Sequence, residues 1–150
     1  MSTLKEQLYL LCVEYIKKRE REIKHTIADV SEAANNDTKS SAGDKFETGR
    51  EIMQQEIDLN LIRLNEINKL KQVLERIMPD QSSSTVQPGS VVQTNNGNYY
   101  VAIGAGQLKI GDKTYFAISA ASPIGGKMAG LKKGEQFALN GKQYLIESVS

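Results

Sequence analysis

The sequence predicts an α+β chain of 150 residues: an N-terminal antiparallel helical coiled-coil hairpin over residues 1–78, a linker over 79–88, and a small antiparallel β domain with one short helix over 89–150. Three observations carry this. Residues 1–78 contain 13 Lys+Arg and 14 Asp+Glu but no proline and only Gly43 and Gly49, a composition suited to surface-charged helix. Residues 79–150 hold all three prolines, ten glycines and six of the nine aromatics. The hydrophobic period also changes, from about 3.6 before the join to about 2 after it.

The first helix is read from Leu4, Leu8, Leu11 and Tyr15, then Ile16, Ile23, Ile27, Val30 and Ala34, which recur at separations of three, four and seven. From Leu4 to Ala34 such a helix runs ~45 Å at 1.5 Å per residue. The second stripe is Met53, Ile57, Leu61, Leu64, Ile67, Leu70, Leu74 and Ile77. Neither helix can bury its stripe alone, and sequential helices joined by a short connection cover each other antiparallel.

No large apolar residue lies between Val30 and Phe46, so the tip of the hairpin falls at about 35–45. Asn35, Asn36 and Asp37 favour a helix end, Ser40 or Ser41 suits the cap of the second helix, and Gly43 relaxes the backbone. Asp37 and Asp44 flank this turn and Glu47 follows one helical turn later. Carboxylates converging there are hard oxygen ligands suited to Mg²⁺. The same residues also have a structural use, Asp44 and Glu47 favouring the helix N-terminus and Asp37 capping the turn.

Pro79 to Pro88 is polar and bracketed by prolines, which reads as a short flexible linker. Beyond it, Ser90–Thr94, Tyr99–Ile103, Lys113–Ser119, Glu135–Leu139 and Tyr144–Val149 read as strands. Asn95-Asn96-Gly97, Gly111-Asp112 and Asn140-Gly141 read as the turns, the last being the strongest hairpin signal. Ser122 followed by Pro123 starts a short helix.

Charge and cysteine usage bound the function. The net charge of +1 gives no whole-molecule argument for nucleic acid or membrane. The longest apolar run, Leu8–Val13, is too short to span a bilayer and is not a signal peptide, so a cytoplasmic chain without a membrane partner is expected. Cys12, the single cysteine, allows no internal disulfide and reads as packing. Lys17, Lys18, Arg19, Arg21, Lys24 and His25 form a basic cluster that could meet RNA, although Glu20 and Glu22 interrupt it and i,i+4 pairing is its ordinary use. Lys127, Lys132, Lys133 and Lys142 could form a basic surface on the β domain, with ordinary solvation as the alternative use. That domain has no His, no Cys, and acids only at Asp112, Glu135 and Glu147, so binding is a better inference there than catalysis.

The stretch Ser122-Pro123-Ile124-Gly125-Gly126-Lys127-Met128-Ala129-Gly130-Leu131-Lys132-Lys133-Gly134-Glu135-Gln136-Phe137 resembles the C-terminal signature of the Gre family of bacterial transcription elongation factors. Ser122, Pro123, Ile124, Gly130, Gly134 and Glu135 fit the family pattern without a gap, and Tyr144–Glu147 resembles its closing strand. The resemblance implies an FKBP-like fold for the β domain, which in the family docks at the rim of the RNA polymerase secondary channel. It also implies that the hairpin enters the channel and that tip acids help hold the Mg²⁺ of the polymerase site, so that polymerase cleaves backtracked RNA. On that basis the chain is a monomeric accessory factor, not itself an enzyme, and without a cofactor of its own. RNA polymerase is its partner, with nascent RNA near the hairpin. Docking is assigned to Ser122, Pro123, Ile124, Lys127, Lys132 and Lys133, catalysis to Asp37 and Asp44, and metal binding with polymerase to Asp37, Asp44 and Glu47. The family tip reads D-x-x-E-N-A-E-Y, where this chain has Asp37-Thr38-Lys39-Ser40-Ser41-Ala42-Gly43-Asp44. Asp37 and Ala42 match, and Ser40 stands in place of the second acid. The same docking without cleavage is the close alternative, and a coiled-coil adaptor is the alternative from a different class. Prolyl isomerase activity would rest on the FKBP-like fold alone.

Overall fold

A computed structural model describes residues 3–38 and 43–150, with the side chains of 34–38 and 43–48 outside the description. The element order is α1 (Leu4–Thr38), α2 (Gly43–Glu75), β1 (Val91–Thr94), β2 (Gly97–Ala102), β3 (Gly106–Ile110), β4 (Lys113–Ser119), α3 (Pro123–Met128), β5 (Gln136–Leu139) and β6 (Lys142–Val149). The architecture is thus two long helices followed by a six-stranded, mostly antiparallel sheet with one short helix. The chain forms two compact units, residues 16–70 and residues 1–15 with 71–150.

The unit 16–70 contains only segments of the two helices, so burial within it comes chiefly from helix on helix. Ile23, Ile27 and Val30 on α1 are half-buried, as expected from the stripe. On α2 the seam departs from expectation at two places, passing through Asn60 for Leu61 and through Lys71 for Leu70. Leu61 is 49% exposed and its neighbour Asn60 is 3% exposed. The reason is geometric: Met53, Ile57, Asn60, Leu64, Ile67, Lys71 and Leu74 alternate steps of four and three, the heptad spacing that keeps a seam straight, and Leu61 lies ~100° round the helix from Asn60. Burial of the amide is tolerated because Asn60 Nδ2 donates to the Glu56 carbonyl at 2.9 Å and Oδ1 accepts from Arg63 at 3.5 Å.

The other unit joins the helix ends to the sheet. Thr3 and Glu6 start α1 with a reciprocal capping box, Glu6 N–H donating to Thr3 Oγ1 and Thr3 N–H to Glu6 Oε2, each at 3.2 Å. Tyr9 donates its hydroxyl hydrogen to the Leu74 carbonyl at 3.0 Å. Leu8 and Cys12 on α1, Leu74 on α2 and Ile77 just beyond it are buried. The composition changes at Pro79, but these apolar helix ends belong to the same unit as the sheet, whose second face offers Val91, Tyr100, Ala102, Leu108, Tyr115 and Ala117, all buried.

The strands lie in the order β3-β4-β2-β1-β6-β5. Two features differ from the sequence reading. A sixth strand, Gly106–Ile110, forms an edge that the Gly-Gln-Leu-Lys-Ile run signals only weakly. Consequently the sheet is not wholly antiparallel: β4 inserts between β2 and β3 and pairs parallel with β2, from Asn98 opposite Tyr115 to Ala102 opposite Ser119. The connection from Ala102 to Gly106 needs to cross two strand spacings, ~9.6 Å, within the reach of four residues. Asn140 and Gly141 both have positive φ, at 51° and 79°, as a type I′ turn requires.

Val92, Tyr99, Val101, Phe137, Tyr144 and Ile146 form the core on the first face, closed by Met128 of α3 and by Val86. Val86, 3% exposed, lies within the 79–88 stretch expected as linker; its N–H donates to the Leu131 carbonyl at 2.9 Å and its carbonyl accepts from Gly130 at 2.8 Å. The C-terminal end of that stretch is therefore tied into the core.

Candidate functional site

Two sets of residues carry the functional expectations, one at the hairpin tip and one around α3. At the tip, helical backbone continues through Asn35, Asn36 and Asp37 to Thr38 and resumes at Gly43, so these polar residues do not end the first helix. Asp37 lies in the last turn of α1, and Asp44 and Glu47 lie in the first turns of α2. The side chains of all three lie outside the described residues, as do Ser40, Ser41 and Ala42 entirely. Among the described residues no group of three or more His, Cys, Asp or Glu is placed to hold a metal ion.

The α3 turn is described completely. Ser122 adopts an extended backbone and caps the helix: its Oγ accepts from Gly125 N–H at 3.1 Å and donates to the Ser119 carbonyl at 2.6 Å. Pro123 follows at the first helical position, where its missing N–H costs nothing. Gly125 is required by space, since a Cβ there would sit 2.1 Å from the Ser119 carbonyl oxygen. Ile124 is half-buried against the core. Past the helix, Gly134 takes a φ of +91° and donates to the Ile146 carbonyl at 2.8 Å. Glu135 closes the turn by accepting the Lys132 N–H on Oε1 at 2.9 Å. The residues of the Ser-Pro-Ile motif thus build the turn that leads from β4 into α3, and those of the Gly-Glu motif the turn that leads into β5 beside β6.

This divides the docking candidates. The Ser122 hydroxyl and the Ile124 side chain are engaged within the chain. Pro123, Lys127, Lys132 and Lys133 are exposed, as is Lys142 at the start of β6. None of these four lysines joins an ion pair among the described residues, so their charge is available to an anionic surface.

On α1 the basic cluster is partly neutralised in the helical register expected of it. Lys24 pairs with Glu20 at 3.1 Å, and His25 lies 3.4 Å from Asp29. Cys12 is wholly buried, and burial pushes its thiol up to about 12, the opposite of a nucleophile's environment. Beside it, Tyr100 is wholly buried with a hydroxyl that has no hydrogen-bond partner among the described residues, and burial, then Cys12 and Tyr9, push that hydroxyl up. Sequence reasoning had no signal for Tyr100, whose neighbours come from the far end of the chain.

No family model and no curated protein matches this chain. A solved structure, that of the transcription factor Gfh1, is similar over 94% of this chain and 92% of that chain, at 18% identity and a TM-score of 0.34. A superposition that loose carries no argument about function.

Proposed function

We propose that this chain is a Gre-like regulator of bacterial RNA polymerase that docks through the α3 face and delivers its hairpin tip into the secondary channel. The observation that carries the reading is the turn from Ser122 to Glu135. Its resemblance to the family signature covers Ser122, Pro123, Ile124, Gly130, Gly134 and Glu135, in the same order after a long helical hairpin. Lys127, Lys132 and Lys133 form the charged part of the docking surface, and Pro123 its apolar part. Entry into the channel gives a physical reason for two helices of 35 and 33 residues.

The chemistry of the tip follows from its carboxylates. A Mg²⁺ of the polymerase site binds oxygen ligands and retains waters, so a factor needs to add only one or two carboxylates to it. Asp37 is the residue matched to the family, and Asp44 and Glu47 are the candidates to replace the acid for which Ser40 stands. Stimulation of cleavage through these acids is the leading version, and with Ser40 in that place occupancy of the channel without cleavage is the alternative. Cleavage of a backtracked complex separates the two versions. Acceleration that is lost in Asp37→Ala and Asp44→Ala supports the cleaving version, and no acceleration by a chain that still binds polymerase supports the blocking one. An adaptor of a different class predicts no polymerase binding at all.

A further inference from the structure

The outer faces of the two helices in the unit 16–70 differ. Between Ile16 and Ala33 of α1, no large apolar side chain among the described residues is among the exposed ones, whereas α2 exposes Ile52 at 59%, Leu59 at 47%, Leu61 at 49% and Ile62 at 60%. At ~100° per residue, Ile52, Gln55, Leu59, Ile62 and Glu66 fall in one stripe ~80° wide, on the side of α2 away from the Asn60–Leu64–Ile67 seam. All five are exposed. These aliphatic residues are therefore not seam residues that the hairpin fails to cover; they form a second apolar line about three turns long.

Its flanks are mainly acidic. Glu51 and Asp58 lie on one side and Glu56 on the other, with Arg63 the opposing charge beside Glu56. Further along, Glu66 is bridged to Lys69 at 3.2 Å. A second copy of this chain is a poor occupant on charge grounds. Antiparallel pairing with Ile52 opposite Ile62 brings Glu56 of both copies together and Asp58 of both copies together. Parallel pairing sets Glu51 against Glu56 and stacks Glu66 on Glu66 at an inward position, and Asp58 facing Arg63 is its one favourable flanking pair. Lysine or arginine in those flanking places relieves every one of these clashes.

We propose that this stripe is a docking face for a basic amphipathic helix of a partner protein, about three turns long, with an apolar line for Ile52, Leu59 and Ile62 and Lys/Arg on its flanks. The inference is independent of the polymerase reading, since it uses neither the tip nor the α3 turn.

The test is titration of a fluorescent helical peptide carrying Leu at its inward heptad positions and Lys at the flanking ones, against the full chain and the Ile52→Ser/Ile62→Ser variant. Both residues are exposed, so the unfolding midpoint of the variant should match the parent and certify its fold. The expected result is saturable binding to the parent, weakened at least tenfold in the variant and at least tenfold when the peptide's Lys are replaced by Glu. Absence of binding, equal binding by parent and variant, or equal binding of the Glu peptide overturns the proposal. So does a micromolar dimer of the parent that the double substitution abolishes, which would give the face to a second copy.

Discussion

The same two helices are stabilised differently in the two compact units. In the unit that contains the sheet, Leu8 and Cys12 are wholly buried and Leu74 and Ile77 nearly so. Over residues 16–70, Ile16 and Ile67 are buried, but Ile23, Ile27, Met53, Ile57 and Leu64 are only half-buried, because a pair of helices has no third layer to cover them. The difference shows where the free energy that fixes the hairpin resides. The helix ends are held by tertiary packing against a sheet, and the remainder by a narrow seam whose register depends on few residues.

The largest expected effect breaks this comparison most directly. Leu8→Ala should cost about 3 kcal/mol or more, and Ile27→Ala ~1–2 kcal/mol, because the first opens a cavity in a closed core and the second uncovers part of a side chain already wet. Denaturant unfolding of both variants measures the ratio, and equal costs would contradict the contrast. Next, Asn60→Leu should stabilise the chain by ~1–2 kcal/mol through added apolar burial. It should also remove the polar residue that fixes the seam, so altered helix pairing should appear as a loss of single, sharp unfolding behaviour.

The buried thiol gives a pH signature confined to the sheet-containing unit. Cys12 has a folded-state pKa raised from 9.0 to about 12, so the folded chain keeps a proton that the unfolded chain releases. The stabilisation is complete below about pH 9 and is lost as the pH rises toward 12. Equilibrium unfolding from pH 8 to 10.5 should show this decline, and Cys12→Val should flatten its onset. The smallest effect is expected at Tyr100. Its hydroxyl is buried without a partner, so Tyr100→Phe should change stability by less than ~0.5 kcal/mol or raise it. A loss of 1–2 kcal/mol would mean that the hydroxyl is satisfied by a bridging water.

How much was legible in the sequence follows the same division. Local chemistry was readable: the Ser122 cap, Pro123 after it, the Asn140-Gly141 turn and the apolar stripe of α1 are each fixed by a few neighbouring residues. Long-range choices were not. Leu61 looked like the seam residue because it is apolar, while the heptad alternation from Ile57 to Leu64 passes through Asn60. Strand β3 was missed because a short edge strand with a glycine and two polar residues carries little alternation, and the parallel β2–β4 pair follows from that same strand. The motif residues around α3 are legible as a signature, and their local chemistry shows why the signature has that form: Ser122 and Gly125 build the turn into α3, and Gly134 and Glu135 the turn into β5. The tip acids were named from sequence, and their side chains lie outside the described residues.

The proposed function is that this chain docks on RNA polymerase through its α3 face. Its most direct test is equilibrium binding of the full chain to purified bacterial core RNA polymerase, with Lys127→Glu/Lys132→Glu/Lys133→Glu in parallel. These lysines are exposed and join no ion pair among the described residues, so the triple variant should fold normally. The account predicts a saturable complex with the parent chain and affinity reduced at least tenfold in the variant. A folded parent chain that shows no binding to the polymerase would contradict it.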